Sequence, residues 1–589
     1  MQPSLPDDDP KPSARAAMLQ QARAQYRYDV DLLPSVPLAA QVPSADRADA
    51  SWLGQVAGKV VDVAINTAQV DGDVERSAPS HAAHAAMRQH VMSDAMNGME
   101  GVFDLITERV LTGASQGPAR LRSEYGRLFQ HIARPPYTDD AHDDRVFAWL
   151  RVGGPNPLAL HAVDRVPDHF PVTAEHFART VSDDSLEAAQ AEGRLFLCDY
   201  AGLAGLVGGT FPHGQQKYVA PAMGLFAGPP SHAPTGDLRP VAIQCGQRPG
   251  PRTPIITPAD GTAWKMARVV FNTADGNQHQ AVTHLARTHL VAEQLVMATR
   301  RQFAPHHPLR VLMDPHFEGT LSINDAAQAR LIAPGGGVDI VLAGTIESSR
   351  AAAAAGFAAF DFAEALPARD LAQRGLDDHD RLPVHPYRDD ALAIWGAIRS
   401  WVQGYLSLYY PNNAAVAGDA ELQAWATEVA APDGGRLGGF DPPRTVDSLG
   451  DTVAMVLFTA SAQHAAVNFP QFDVVSWAAG FPLANFAPPP SSVVANARDL
   501  YALLPPLDIA QFQLDLGHLL GTLHHTRLGE YPRRWAGLKG WFQDPRVAAP
   551  LGRYRRELER LEGEIVRRVD GICPYHHLRP SLIPQSINI

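Results

Sequence analysis

The stretch that most constrains this chain is Gln278–His289, reading QHQAVTHLARTH, in which His284 and His289 stand five residues apart. It lies inside residues 262–303, a proline-free run with helical periodicity that Pro305 and Pro308 bring to a stop. On an ideal α-helix of ~3.6 residues per turn, positions five apart point roughly 140° away from each other. Two imidazoles at this spacing meet only where the turn is widened, and such π turns collect at functional sites. A second helical segment, Thr459–Phe469, sets His464 and Asn468 four residues apart and therefore on one face. The sequence closes with Gln585-Ser-Ile-Asn-Ile589, whose terminal carboxylate is a fifth candidate ligand.

Three imidazoles, an amide oxygen and a carboxylate form a mixed nitrogen–oxygen set, suited to a borderline first-row metal and unlike the thiolates of an iron–sulfur cluster. A zinc hydrolase is disfavoured because no H-E-x-x-H pattern supplies a general base.

The matching text is long: THLARTHLVAEQLVMATRRQFAPHHPLRVLMDPHFEGTLSINDAAQARL, then LAIWGAIRSWVQGYLSLYY, then FTASAQHAAVNFPQFD, then the terminal isoleucine. On these motifs the sequence resembles the lipoxygenases, over roughly residues 140–589. The resemblance implies a mainly α fold, a large helical lipoxygenase-type catalytic domain with a small β subregion. It implies one non-haem iron, with manganese the lesser alternative, on His284, His289, His464, Asn468 and the Ile589 carboxylate. Gln280 and Gln471 match the family's amide pair that links the substrate side to the asparagine ligand. Ala327 falls where the family carries Ala in most S-specific members and Gly in R-specific ones, Leu331 lies beside it, and Val341 and Leu342 map to the region that sets pocket depth.

The activity implied is dioxygenation of a polyunsaturated fatty acid such as linoleate to an S-configured hydroperoxide. A hydroperoxide isomerase or lyase using the same iron is the alternative, and a lipid-binding pseudoenzyme a third reading that an intact ligand set opposes. One departure stands out. Plant members place an arginine where this chain has Phe481, and 472–482 holds neither Lys nor Arg. An inward-pointing substrate carboxylate would lack a charge partner there and be costly to bury.

Composition fits a globular protein: 45% apolar and 19% charged residues over 589 positions. Length alone would suggest about four domains, a soft prior that the resemblance replaces with one catalytic body. A net charge of −13 disfavours nucleic acid, which needs clustered basic residues. Cys198, Cys245 and Cys573 lack metal or disulfide spacing and suit a reducing compartment. No secretory signal or membrane-length apolar run is readable, so a cytoplasmic, monomeric enzyme with at most peripheral contact with membrane lipid is expected.

In order, 1–17 reads as a disordered arm, 18–130 as a helical extension without the β-sandwich of many eukaryotic members, and 131–589 as the catalytic domain. Within the extension, 26–43 reads as an extended prolyl segment, while 52–70 and 81–112 carry helical periodicity. His81, His84 and His90 lack a carboxylate or cysteine pattern that would make them a metal cluster. A helix from Asp143 should stop at Gly153-Gly154, the apolar runs between Leu195 and Cys245 read as a small sheet, and the Ala-rich stretch after Arg350 reads as helix. His279, His306, His307, His316, His524 and His525 are read as structural or exposed.

Overall fold

In the computed structural model, which describes residues 3–48, 50–71, 99–112, 121–233, 236–531, 540–568 and 572–589, the central run is one continuous helical rod. It is built as an α-helix Thr262–Gln278, a π-helical segment His279–Leu290 and an α-helix Val291–Gln302. At about 1.5 Å per residue the rod is about 60 Å long. Phe271, Ala274, Ala286, Leu290, Val291, Leu295, Val296 and Met297 are all essentially inaccessible, so the rod is the core rather than an amphipathic surface helix.

The Ala-rich helix Ile346–Ala358 lies against the π segment. Its small side chains permit the approach: a Cβ added to Gly356 would meet Val282 Cγ1 at 2.9 Å, leaving no room for one without a shift. A second rod, Val446–Phe458, passes through a π turn Thr459–Gln463 into His464–Asn468, and packs on the long helix Pro386–Leu406. Leu507–Gly521 closes over the further π turn Gln471–Val475.

The five-stranded sheet is wholly antiparallel and its spatial order follows the chain: Leu160–Ala162, Leu195–Asp199, Met223–Ala227, Arg239–Gln244, Ile255–Ile256. Period-two alternation explains its place. Phe196 and Cys198 join the main core, while Leu195 and Leu197 face a satellite core with Phe170, Phe177 and Val241. Gly224 lies directly under Phe271 of the central rod, where a Cβ would sit 2.5 Å from the ring. The helix Asp144–Gly153, capped by Asp143, stops at the glycine pair as expected. All three cysteines are free thiols, and burial pushes Cys198 and Cys245 up to about 12.

The amino-terminal region corrects one expectation. Residues 12–17, read as part of a disordered arm, are the start of a helix Pro12–Gln25 in which Arg15 is 3% exposed and bonded to Glu421 (2.5 Å) and Asp9 (3.0 Å). Pro12 in the first turn starts the helix, and the partner that anchors it lies 406 residues away, beyond the reach of composition. The prolyl segment is a hairpin, Tyr28–Leu33 with Val36–Ala39, turned through Pro34 and Ser35, the latter at φ 70. Helices Ala50–Asp71 and Met99–Thr112 follow, and this hairpin holds the only strands among the described residues up to 130. His81, His84 and His90 lie outside the described residues. No described helix is long and apolar enough to cross a membrane.

Candidate metal centre

The widened turn anticipated at His284 and His289 is present as the π segment, and it brings their Nε2 atoms to 3.2 Å. His464, at the end of the second π turn, places its Nε2 3.2 Å from that of His284. Proton counting shows what these contacts mean. His289 Nδ1–H donates to Asn324 Oδ1 at 2.8 Å, so its Nε2 carries a lone pair aimed at the others. The single Nε2 of His284 cannot donate to both neighbours at once, so the cluster holds converging lone pairs. Burial drives His289 down to about 4 and His284 and His464 well below their ordinary values, which keeps all three neutral near pH 7. His279 stacks on His284 but its Nε2 donates to the Val467 carbonyl at 2.7 Å, the structural role expected of it.

An amide chain runs from this cluster. Gln280 Nε2 donates to Gln471 Oε1 (3.0 Å), Gln471 Nε2 to Asn468 Oδ1 (2.7 Å), and Asn468 Nδ2 to the Leu520 carbonyl (2.8 Å). Asn468 is thereby fixed with its oxygen, which retains a second lone pair, held by Gln471. The final residues are pinned: Thr320 Oγ1 donates to the Ile587 carbonyl, Ser586 Oγ to that of Glu318, and Ile589 is 2% exposed.

An apolar cavity of about 610 Å³, solvent at its mouth included, opens from His284 and His289. Gln280, Gln471, Ala327, Leu331 and Leu342 line it. Val341 and Phe481 do not. Val341 ends the helix Gly337–Val341 and turns into the core, while extended Leu342 takes the cavity side. Phe481 is fully buried against Gly276 of the central rod, with its carbonyl accepting from Gln513. Three contributors escaped the sequence reading. Arg350 lines the cavity and donates to the Leu32 carbonyl of the hairpin. Asn324 orients His289, and buried Glu293 accepts from Asn324 Nδ2 and the Ala39 amide, both at 2.7 Å. Glu293, four residues beyond His289 on an apolar face, is the signal that could have found this brace.

The lipoxygenase family model matches residues 166–572. A linoleate 9/13-lipoxygenase of Pseudomonas aeruginosa is 35% identical, with 100% of this chain and 93% of the relative covered. The chain belongs to the lipoxygenase family. Human hydroperoxide isomerase ALOXE3 is 32% identical over 76% of this lipoxygenase, which spans 62% of that relative's length. A crystal structure of a coral 8R-lipoxygenase superimposes with a TM-score of 0.83 at 25% identity, covering 100% of this chain and 83% of the other. This lipoxygenase is therefore a dioxygenase-type oxidoreductase with the mainly helical catalytic fold and small sheet of its family, whose members use a catalytic metal. The three converging imidazoles, with the His464 Nδ1 buried and unpartnered behind them, fit such an ion by donor type and by proton count.

Proposed function

We propose that this lipoxygenase is a non-haem iron dioxygenase that converts polyunsaturated fatty acids such as linoleate to S-configured hydroperoxides. The observation that carries the reading is the convergence of three neutral imidazoles at one end of an apolar cavity. His284, His289 and His464 would hold the metal, with Asn468 and the Ile589 carboxylate completing its protein ligands. When bound, iron supplies the one-electron chemistry that removes a hydrogen atom from the methylene between two cis double bonds; manganese is the lesser alternative.

The chain's own work is positioning. Leu331, Leu342 and Leu520 give the pentadiene an apolar wall. The Gln280–Gln471–Asn468 chain ties the cavity surface to the ligand side, so substrate packing and ligand orientation are coupled. Ala327 on the cavity wall favours the S product by the family pattern. Arg350 supplies the cation that 472–482 lacks: half-buried, and in no ion pair among the described residues, it favours a fatty acid that enters methyl end first with its carboxylate at the mouth. Val30 and Leu32, 38% and 40% exposed on the hairpin beside Arg350, are the apolar groups that would touch a lipid surface.

The test is the ultraviolet conjugated-diene signal of the iron-loaded enzyme with linoleate in aerated buffer, with oxygen uptake followed in the same cell. Matched diene formation and oxygen consumption are expected, with chiral analysis giving mainly the S product. Inertness towards free fatty acid combined with consumption of added hydroperoxide would replace this reading with the isomerase one.

A further inference from the structure

A second group of metal-type donors lies outside the site described above. Asp473, His576 and His577 each bring a ligand atom within 4.8 Å of the others. Asp473 belongs to the π turn Gln471–Val475, and the two histidines belong to the non-helical segment that runs towards Ile589. His576 Nε2 stands 2.9 Å from Asp473 Oδ2, and His577 Nδ1 stands 3.6 Å from the same oxygen. That second distance is too long for a hydrogen bond. His577 is 3% exposed, and its Nδ1 has no hydrogen-bond partner at all. A buried polar nitrogen left in this state calls for an explanation.

An ion supplies one. Bonds of ~2.0–2.1 Å at tetrahedral angles space neighbouring donors by about 3.3 Å, and the observed 2.9 and 3.6 Å bracket that value. We infer that Asp473, His576 and His577 form a second site for a divalent transition metal, with water completing the shell. Two imidazoles and one carboxylate select Zn²⁺, Co²⁺, Ni²⁺ or Cu²⁺ over Ca²⁺ and Mg²⁺, which take oxygen ligands. The side chains of Asp473 and His576 are 26% and 38% exposed, so an ion reaches the site from solvent. Burial pushes His577 down to about 3, which leaves it a neutral ligand near pH 7.

The position gives the site a consequence. Asp473 is two residues beyond Gln471, the donor to Asn468, and the histidine pair precedes the pinned final residues. A bound ion therefore ties the asparagine-bearing segment to the carboxy-terminal one, outside the cavity.

The experiment adds Co²⁺ to full-length protein whose buried site has already been filled and quantified by elemental analysis. Wild type is expected to take up one further equivalent with a visible cobalt absorption, to lose that absorption on adding Zn²⁺, and to melt at a higher temperature with the ion bound. His576→Gln, at a half-exposed position that folding tolerates, and Asp473→Asn should each weaken this uptake at least tenfold while metal at the buried site stays unchanged. His464→Ala separates the two sites: it should empty the buried one and keep the cobalt absorption. Absence of a further equivalent in wild type, or equal uptake by His576→Gln and Asp473→Asn, would overturn the inference whatever the buried site holds.

Discussion

Among the described residues, imidazoles gather with other metal-type donors or with one another at two places a few residues from Asn468, and the two gatherings are built in opposite ways. The His284–His289–His464 cluster is dry, with every histidine at most 7% exposed, and its members are set on rods whose π turns do the converging. The Asp473–His576–His577 cluster is half open and joins a π turn to an irregular segment about a hundred residues away. The first consists of neutral imidazoles, of which His289 is oriented by the Asn324 amide; the second is centred on a carboxylate. A buried site of this kind must be preorganised by its neighbours, because solvent is not there to correct a misplaced donor.

The largest effect expected from that difference comes with His464→Ala. Removing one of three neutral donors from a dry pocket should drop metal content and diene formation to background, read by elemental analysis and the linoleate assay. Retention of metal and activity would show that this cluster is as loosely specified as the open one.

Gln471→Leu comes next and tests the preorganisation itself. Leucine keeps the volume but deletes both hydrogen bonds of Gln471, so Asn468 Oδ1 loses its donor. Partners of ligands are typically worth ~10–100-fold in metal affinity or activity, and a fall in kcat of that size is expected with lipid affinity preserved. An unchanged kcat would mean that the amide chain only packs.

The same contrast explains what could be read from the sequence. His284, His289, His464 and Asn468 announce themselves because each pair lies within one helix, where spacing converts directly into direction. The rods, the sheet and the Ala-rich helix are legible for the same reason, being local in period and composition. The docked start of the helix Pro12–Gln25 was not, since Arg15 is held by a residue 406 positions away. Val341 and Leu342 were indistinguishable in sequence because adjacent residues at a helix end face opposite ways, and the structure gives the cavity to Leu342 alone. The stretch 472–482 carries no cation, whereas Arg350 reaches the cavity from Ile346–Ala358, the helix packed beside the π segment.

Arg350→Leu should have a smaller effect than Gln471→Leu, because a charge at a solvated mouth is partly screened. KM for linoleate should rise about tenfold with kcat nearly unchanged, the pattern of lost uniform binding. The methyl ester of linoleate, which brings no charge, should show no such rise. Equal losses for acid and ester would remove the carboxylate role.

The smallest effect, and the finest discriminator, is the pH dependence carried by the two carboxylates that serve these clusters. Burial pushes Glu293 up from its ordinary 4.5 to about 7. A raised acid binds its proton more tightly in the folded chain than in the unfolded one, so its contribution to stability is complete below about 4.5 and is lost as pH rises through 7. The shift corresponds to a change on the order of 3 kcal/mol between those limits. Asp473 has the opposite sign: burial works against its charge, but the hydrogen bond from His576 and the closeness of the two imidazoles hold it below its ordinary value. Its contribution is present at neutral pH and is lost as pH falls through the folded value. Denaturant unfolding of metal-free protein from pH 2.5 to 7.5 should therefore show wild type losing stability relative to Glu293→Gln as pH rises from 4.5 to 7, and losing it relative to Asp473→Asn only as pH falls below the ordinary aspartate value of 3.8. Parallel curves for wild type and Glu293→Gln would mean that Glu293 is ionised in the folded chain, with the desolvation of its charge met by the Asn324 and Ala39 donors alone.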